Sequence, residues 1–156
     1  MKHKHTHYIC ASVAFLLFVA LGYMVKFYPE ALTEFDSSIQ TRVRGDLPGG
    51  LTHFFKTITI LGNTSVQAII AIVAVIWLYL RQYKSEAIFV GTSGVLASIM
   101  IVSLKYIYQR PRPLITHLVH ARGYSFPSGH SLGTFMILGA IAIVLAQRLE
   151  KKESKI

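Results

Sequence analysis

Cysteine, acid and repetition are what this chain has least of. Cys10 stands alone in 156 residues, so no intrachain disulfide can staple the fold and the redox compartment cannot be read from it. Its place inside an apolar run makes it a small apolar residue facing lipid or a neighbouring helix. Asp and Glu number 7 against 16 Lys and Arg, a net charge of +9. In a soluble domain that imbalance would point to nucleic acid. Here the cations sit mainly at the ends of apolar runs, where long side chains snorkel to headgroups, so the membrane replaces nucleic acid as the partner. No internal repeat and no low-complexity tract is present, and the length suits one domain at most.

What is abundant is apolar. Hydrophobic residues make up 53% of the chain and mean hydropathy is +0.48, too high for an ordinary soluble fold. Four stretches, roughly 8–28, 62–80, 86–108 and 130–147, approach the ~20 apolar residues that a bilayer core requires. The expected class is an all-α, polytopic membrane helical bundle. The basic, histidine-rich start (His3, His5, His7) followed by an apolar run also resembles a secretory signal, with Ala20-Leu21-Gly22 as a small-x-small site. The run continues through Phe27, longer than a usual signal core, which favours an uncleaved span. The three alternating histidines read as a solvated leader rather than a metal site.

Between the first two spans, residues 29–61 form an interfacial segment. Phe35, Ile39, Val43 and Leu47 recur every four residues with Asp36, Gln40 and Arg44 between them, which predicts an amphipathic helix in the headgroup layer. Pro48-Gly49-Gly50 is expected to end it. Gly62-Asn63-Thr64-Ser65 should cap the second span, through a side-chain oxygen accepting from the first orphan N–H groups. In the third span, Gly94, Ser98, Ile101 and Lys105 share one face, and small residues there predict close helix packing that leads to Lys105.

Orientation is evenly balanced. Lys2, Lys4, Arg81, Lys84, Arg148, Lys151, Lys152 and Lys155 fall on the side of the termini; Lys26, Arg42, Arg44, Lys56, Lys105, Arg110, Arg112 and Arg122 fall on the other. The tie breaks only if Lys105, Arg110, Arg112 and Arg122 are set aside as site residues, and the termini are then cytoplasmic.

Two short patches carry the chemistry. Lys105–Pro113 (KYIYQRPRP) gathers cations at the end of the third span. Pro127-Ser128-Gly129-His130 opens the fourth, and this tetrapeptide is expected on the order of once per thousand chains of this size. Cations beside a helix N-terminus make a phosphate site, because orphan N–H groups and the positive dipole end both favour an anion. Each patch alone has a plainer reading: an interface anchor for Lys105, a proline-stiffened exit for Arg110–Pro113, a helix-opening turn for Pro127–His130.

Together, Lys105 with six residues before Arg112-Pro113, then Pro127-Ser128-Gly129-His130, resemble the first two motifs of the type 2 phosphatidic acid phosphatase superfamily. Its members include membrane lipid phosphatases and the vanadium haloperoxidases. Phe35-Asp36 with Ile39, and Thr59-Ile60-Leu61-Gly62, are similar to bacterial members, so the resemblance spans about residues 25–147. It implies about four spans of a six-span fold in a single phosphatase-like domain over 1–156. The implied reaction is hydrolysis of a phosphomonoester or diphosphate on a lipid (phosphatidate, phosphatidylglycerophosphate or polyprenyl diphosphate) through a phosphohistidine intermediate. Lys105 and Arg112 would then hold the non-bridging oxygens, with backbone N–H groups at Ser128 and Gly129 as further donors and His130 as general acid. No metal and no cofactor are implied, since cations and dipoles do the charge work. The implied location is the plasma membrane of a bacterium, multi-pass, with the site on the outer face.

The family's third motif, Ser-Arg followed by five residues and a nucleophilic His, has no match after His130. His53, His117 and His120 read as solvated or headgroup-contacting side chains. The chain is therefore expected to be a truncated piece that is inactive alone. Its tail Glu150–Ile156 would lead to a fifth helix, and its fourth span, with Gly129, Gly133, Gly139 and Thr134 left unpacked, would either self-associate or remain mobile. The alternative is a non-catalytic protein that binds anionic lipid or depends on assembly.

Overall fold

The computed structural model describes residues 4–44, 47–112 and 123–153. Among them are six helices and no strand: α1 (Lys4–Phe27), α2 (Pro29–Arg44), α3 (Gly49–Leu61), α4 (Thr64–Leu80), α5 (Lys84–Tyr108) and α6 (Gly129–Glu153). Arg122, Pro113, His117 and His120 lie outside the described residues. The all-α bundle expected from the sequence is what forms.

Continuous apolar runs give α1, α5 and the first 21 residues of α6 the length and hydropathy to cross a bilayer. Their windows are only 11–22% buried against protein, so most of the apolar surface faces outward, as lipid contact requires. The second expected span, 62–80, corresponds to α4, a 17-residue helix that meets α3 at a 52° bend across Gly62-Asn63. Gly62 and Asn63 therefore form an elbow, not the start of a straight helix. The fourth helix also runs beyond its expected end, to Glu153.

The interfacial segment holds two helices where one was expected. Pro29 starts α2 at the position where its missing N–H and fixed φ cost least, with Glu30 in the favourable first turn. Pro48-Gly49-Gly50 does not end a helix but opens α3, Pro48 at the cap position with φ −53° and ψ 141°. Proline cannot continue a helix that precedes it, yet is tolerated where a new one begins. Asp36 then ties α2 to the segment after α5, its carboxylate 2.6 Å from Arg110 Nη2. The pair is partly exposed, so Asp36→Asn should cost only about 1 kcal/mol or less. Its expected signature is local: faster hydrogen exchange in α2 with the α4–α6 helices unchanged.

α4, α5 and α6 form the bundle proper. Leu78, Ala87, Val90, Ala140 and Val144 are buried together where α5 begins and α6 nears its end. Polar groups close that end: Arg148 pairs with Glu86, and its guanidinium lies 3.6 Å from the Tyr83 ring centroid. Packing is therefore tight at the α4–α5 turn and looser toward the other end, where the sequence motifs lie.

Candidate phosphate site at the α4–α5–α6 junction

α5 ends on Gln109, which adopts the left-handed conformation (φ 49°) and donates its N–H to the Lys105 carbonyl at 2.9 Å. That bond satisfies one of the orphan carbonyls of the last turn. Arg110 precedes a proline and is pushed to extended backbone. The chain thus leaves the helix one turn after Lys105 and brings Arg112 back close enough for the two cations to feel each other's charge.

The returning segment is pinned to the one that leads into α6. Arg112 Nε donates to Gly123 O at 2.9 Å, Ser125 N to Arg110 O at 2.9 Å, and Ser125 Oγ to Pro111 O at 2.9 Å. Phe126 then sits among rings of two other elements: centroids lie 5.0 Å from Tyr108 and 6.0 Å from Phe18. α1 is held at the same place. Lys26 Nζ donates to Ile107 O at 2.8 Å, and Gly22 leaves room for the Tyr108 hydroxyl where a Cβ would collide. The Phe126–Pro127 peptide is cis. Aromatic packing and backbone pairing together set where Ser128 and Gly129 stand, and nothing in the spacing of the motifs announced it.

Ser128 is the cap of α6, accepting from Ser131 N at 3.2 Å through its Oγ, while its carbonyl accepts from Leu132 N at 3.0 Å. Gly129 faces α5 closely enough that a Cβ would lie 3.6 Å from Ile101 Cγ2, one turn before Lys105. The N-terminus of α6 and the C-terminus of α5 are thus side by side. Lys105, Arg112, Ser128, Gly129 and His130 all gather at this one end of the bundle.

His130 turns toward the elbow between α3 and α4. Its Nε2 lies 3.1 Å from Asn63 Oδ1, and its ring covers Gly62, where a Cβ would come within 2.5 Å of Cδ2. Asn63 holds the expected cap position of α4 but makes no side-chain cap hydrogen bond. Its amide is used across the bundle instead, which corrects the expected role. Gln67, one turn on, donates from Nε2 to His130 O at 3.1 Å and to Thr134 Oγ1 at 2.8 Å. It is the one buried polar side chain among the described residues, 6% exposed. Sequence reasoning passed over Gln67, although a glutamine inside a 17-residue apolar helix is a signal, since burying an amide demands partners.

The small-residue face of α5 packs closely where expected: an added Cβ would lie 3.6 Å from Val75 at Gly91 and 3.9 Å from Ala71 at Gly94. Toward the motif end the same face, with Ser98 and Lys105, also lines a cavity of about 650 Å³, completed by Thr64 and Gln67 of α4 and Gly133 of α6. The rest of its walls are apolar. The glycines of α6 are likewise mostly in use: Gly129 meets Ile101, Gly133 meets the Gln67 carboxamide, and Thr134 bonds Gln67. Gly139 alone of these opens onto space. Among the described residues no group of three His, Cys, Asp or Glu side chains is placed to hold a metal ion.

No curated protein and no solved structure matches this chain. The model of the PAP2 superfamily does, over residues 86–155, from the start of α5 through α6. That stretch contains both motifs and leaves α1 to α4, with Asn63 and Gln67, outside the match. Three apolar helices of spanning length make the protein membrane-embedded. Over α5 and α6 the chain is similar to the PAP2 superfamily of type 2 phosphatidic acid phosphatases, and it is phosphatase-like at the level of that family.

Proposed function

We propose that residues 1–156 act as one lipid-phosphatase-like domain whose phosphate site lies between the end of α5 and the start of α6. The observation that carries this reading is the convergence of Lys105, Arg112 and the capped N-terminus of α6 at one end of the bundle, above an apolar cavity. Lys105 offers a point charge and Arg112 a planar fork; the first N–H groups of α6 add dipolar donors aimed at an anion. A phosphoryl group on a lipid satisfies both halves of the site, headgroup against the cations and chain along apolar surface. Phosphatidate, phosphatidylglycerophosphate and polyprenyl diphosphate all meet that description.

In the reaction that the family implies, a nucleophilic histidine displaces the lipid alkoxide from phosphorus and water then hydrolyses the phosphohistidine. His130 serves the first step as general acid, passing a proton to the departing oxygen as the P–O bond breaks. Lys105, Arg112 and the Ser128 and Gly129 amides hold the charge that spreads over the non-bridging oxygens. The motif that would supply the nucleophile is not in the 156 residues. This chain by itself therefore holds an anion without turning it over, and the second reading, a binder of anionic lipid, rests on that same observation. We place the site at the outer face of a bacterial plasma membrane, with the termini cytoplasmic, and expect α6 to self-associate only along the face of Gly139.

Anion binding tests the site. Orthophosphate added to the purified chain in detergent should broaden and shift in its 31P spectrum. Lys105→Ala or Arg112→Ala should weaken binding about tenfold or more, since each removes a charge-assisted contact. Arg148→Ala, at the far end of the bundle, serves as the control. Equal binding by all four proteins would sink the phosphate site.

A further inference from the structure

We infer that Asn63 is a positioning residue for His130, holding the ring with its Nε2 proton on the Asn63 amide oxygen so that Nδ1 is the nitrogen that gives up a proton. The identity of the proton's acceptor rests on the phosphate reading above; the contact and the tautomer do not. Neither Asn63 nor its neighbours fall within the stretch that matches the PAP2 superfamily.

The α3–α4 elbow meets His130 at three points. Gly62 supplies the space, because any Cβ there would press on Cδ2, Cγ and Cβ of the histidine. Asn63 Oδ1 meets Nε2 at 3.1 Å. Gln67 anchors the backbone beneath, through the His130 carbonyl and Thr134. A ring held on one edge by an amide and from below by a buried glutamine has little freedom to rotate.

The amide oxygen only accepts, so the nitrogen facing it must carry hydrogen. In the imidazolium both nitrogens carry hydrogen, so the Asn63 contact fits that form as well as the Nε2–H neutral ring. When Nδ1–H breaks, its electron pair stays on the ring and the proton forms an O–H bond with the lipid alkoxide, which keeps the pair of the P–O bond that breaks as the family's nucleophilic histidine, not supplied by this stretch, forms its N–P bond. The neutral product is the Nε2–H tautomer, with the Asn63 bond unbroken throughout. Proton transfer through Nε2 would instead require that bond to break first. Titratable and charged groups on the elements that converge at this end include His53 and Lys56 of α3, Lys105 of α5, and Arg110 and Arg112 beyond it, with Arg110 engaged by Asp36 of α2.

The test is the tautomer of neutral His130 in the full chain in lipid nanodiscs, read from 15N resonances of labelled histidine and assigned by their loss in His130→Gln. The expected result is the Nε2–H tautomer alone. In Asn63→Ala the Nδ1–H form should appear beside it, because nothing then holds the Nε2 proton. Asn63→Asp, whose carboxylate also only accepts, should keep the Nε2–H tautomer, and keeps the test open should the alanine variant fail to fold. An Nδ1–H tautomer in the unsubstituted chain, or an alanine variant with an unchanged tautomer ratio, overturns the inference. An Nδ1–H form in Asn63→Asp overturns the contact itself. None of these measurements contains phosphate, so they fail or succeed separately from anion binding at Lys105 and Arg112.

Discussion

Vesicles carrying the 156-residue chain and phosphatidate should release no phosphate above vesicles lacking protein. Hydrolysis through a phosphohistidine needs a histidine that attacks phosphorus, and the Ser-Arg-x5-His pattern that supplies it is not found after His130. Removing a covalent nucleophile deletes a step, not a contact, and in well-studied enzymes costs on the order of 10⁴- to 10⁶-fold. The residual site can still bind, so the same vesicles should hold orthophosphate weakly at Lys105 and Arg112. Release of phosphate that disappears in His130→Ala would show that a residue within these 156 performs the attack. Of His53, His117 and His120, His53 is the one among the described residues, and it lies exposed on α3. A histidine with no carboxylate to orient it is a poor nucleophile, which is why the expected rate is background.

Gly133→Val and Gly139→Val should differ sharply although they sit six residues apart on one helix. A Cβ at Gly133 would strike the Gln67 carboxamide, which is buried and holds both the His130 carbonyl and Thr134. The amide must leave that position or α4 must separate from α6. Overpacking together with two lost hydrogen bonds predicts a destabilisation of about 2–4 kcal/mol. At Gly139 nothing lies within 4 Å of the added carbon, so valine there should be near neutral in an isolated chain. Steric-trapping or thermal measurements in detergent would read the difference. If a second copy packs against the Gly139 face in lipid, Gly139→Val should weaken crosslinking between copies while leaving Gly133 chemistry untouched. Equal stability of the two variants would contradict the α4–α6 contact.

The same contrast explains why some of this molecule was legible and some was not. Apolar run length needs no partner to be read, because every backbone polar group in a bilayer must be satisfied within its own helix. Spans at α1, α5 and α6 follow from that requirement alone. Lys105, Arg112 and Pro127–His130 stood out because charge and glycine at the ends of apolar runs are rare and chemically pointed. The α3–α4 elbow did not stand out. Gly62-Asn63 has the composition of an ordinary helix start, and a cap is the commonest use of an asparagine there. Whether an amide caps its own helix or reaches a histidine in another is decided by what lies across from it.

Sequence alone determined that this protein is helical, embedded in a membrane, and equipped with a cationic patch followed by a histidine-bearing helix start. These are local properties, set by hydropathy, by proline and glycine at run ends, and by residue spacing along one strand of chain. Tertiary structure decided the rest. It put the Gly62-Asn63 elbow against His130, gave Gln67 its partners across α6, left a cavity beside Lys105, and built the Phe18–Tyr108–Phe126 cluster that holds the loop before Ser128. Each joins elements far apart in the chain, and pairings of that kind leave no periodicity to read. They arise when buried amides and rings find the only partners that packing places within reach.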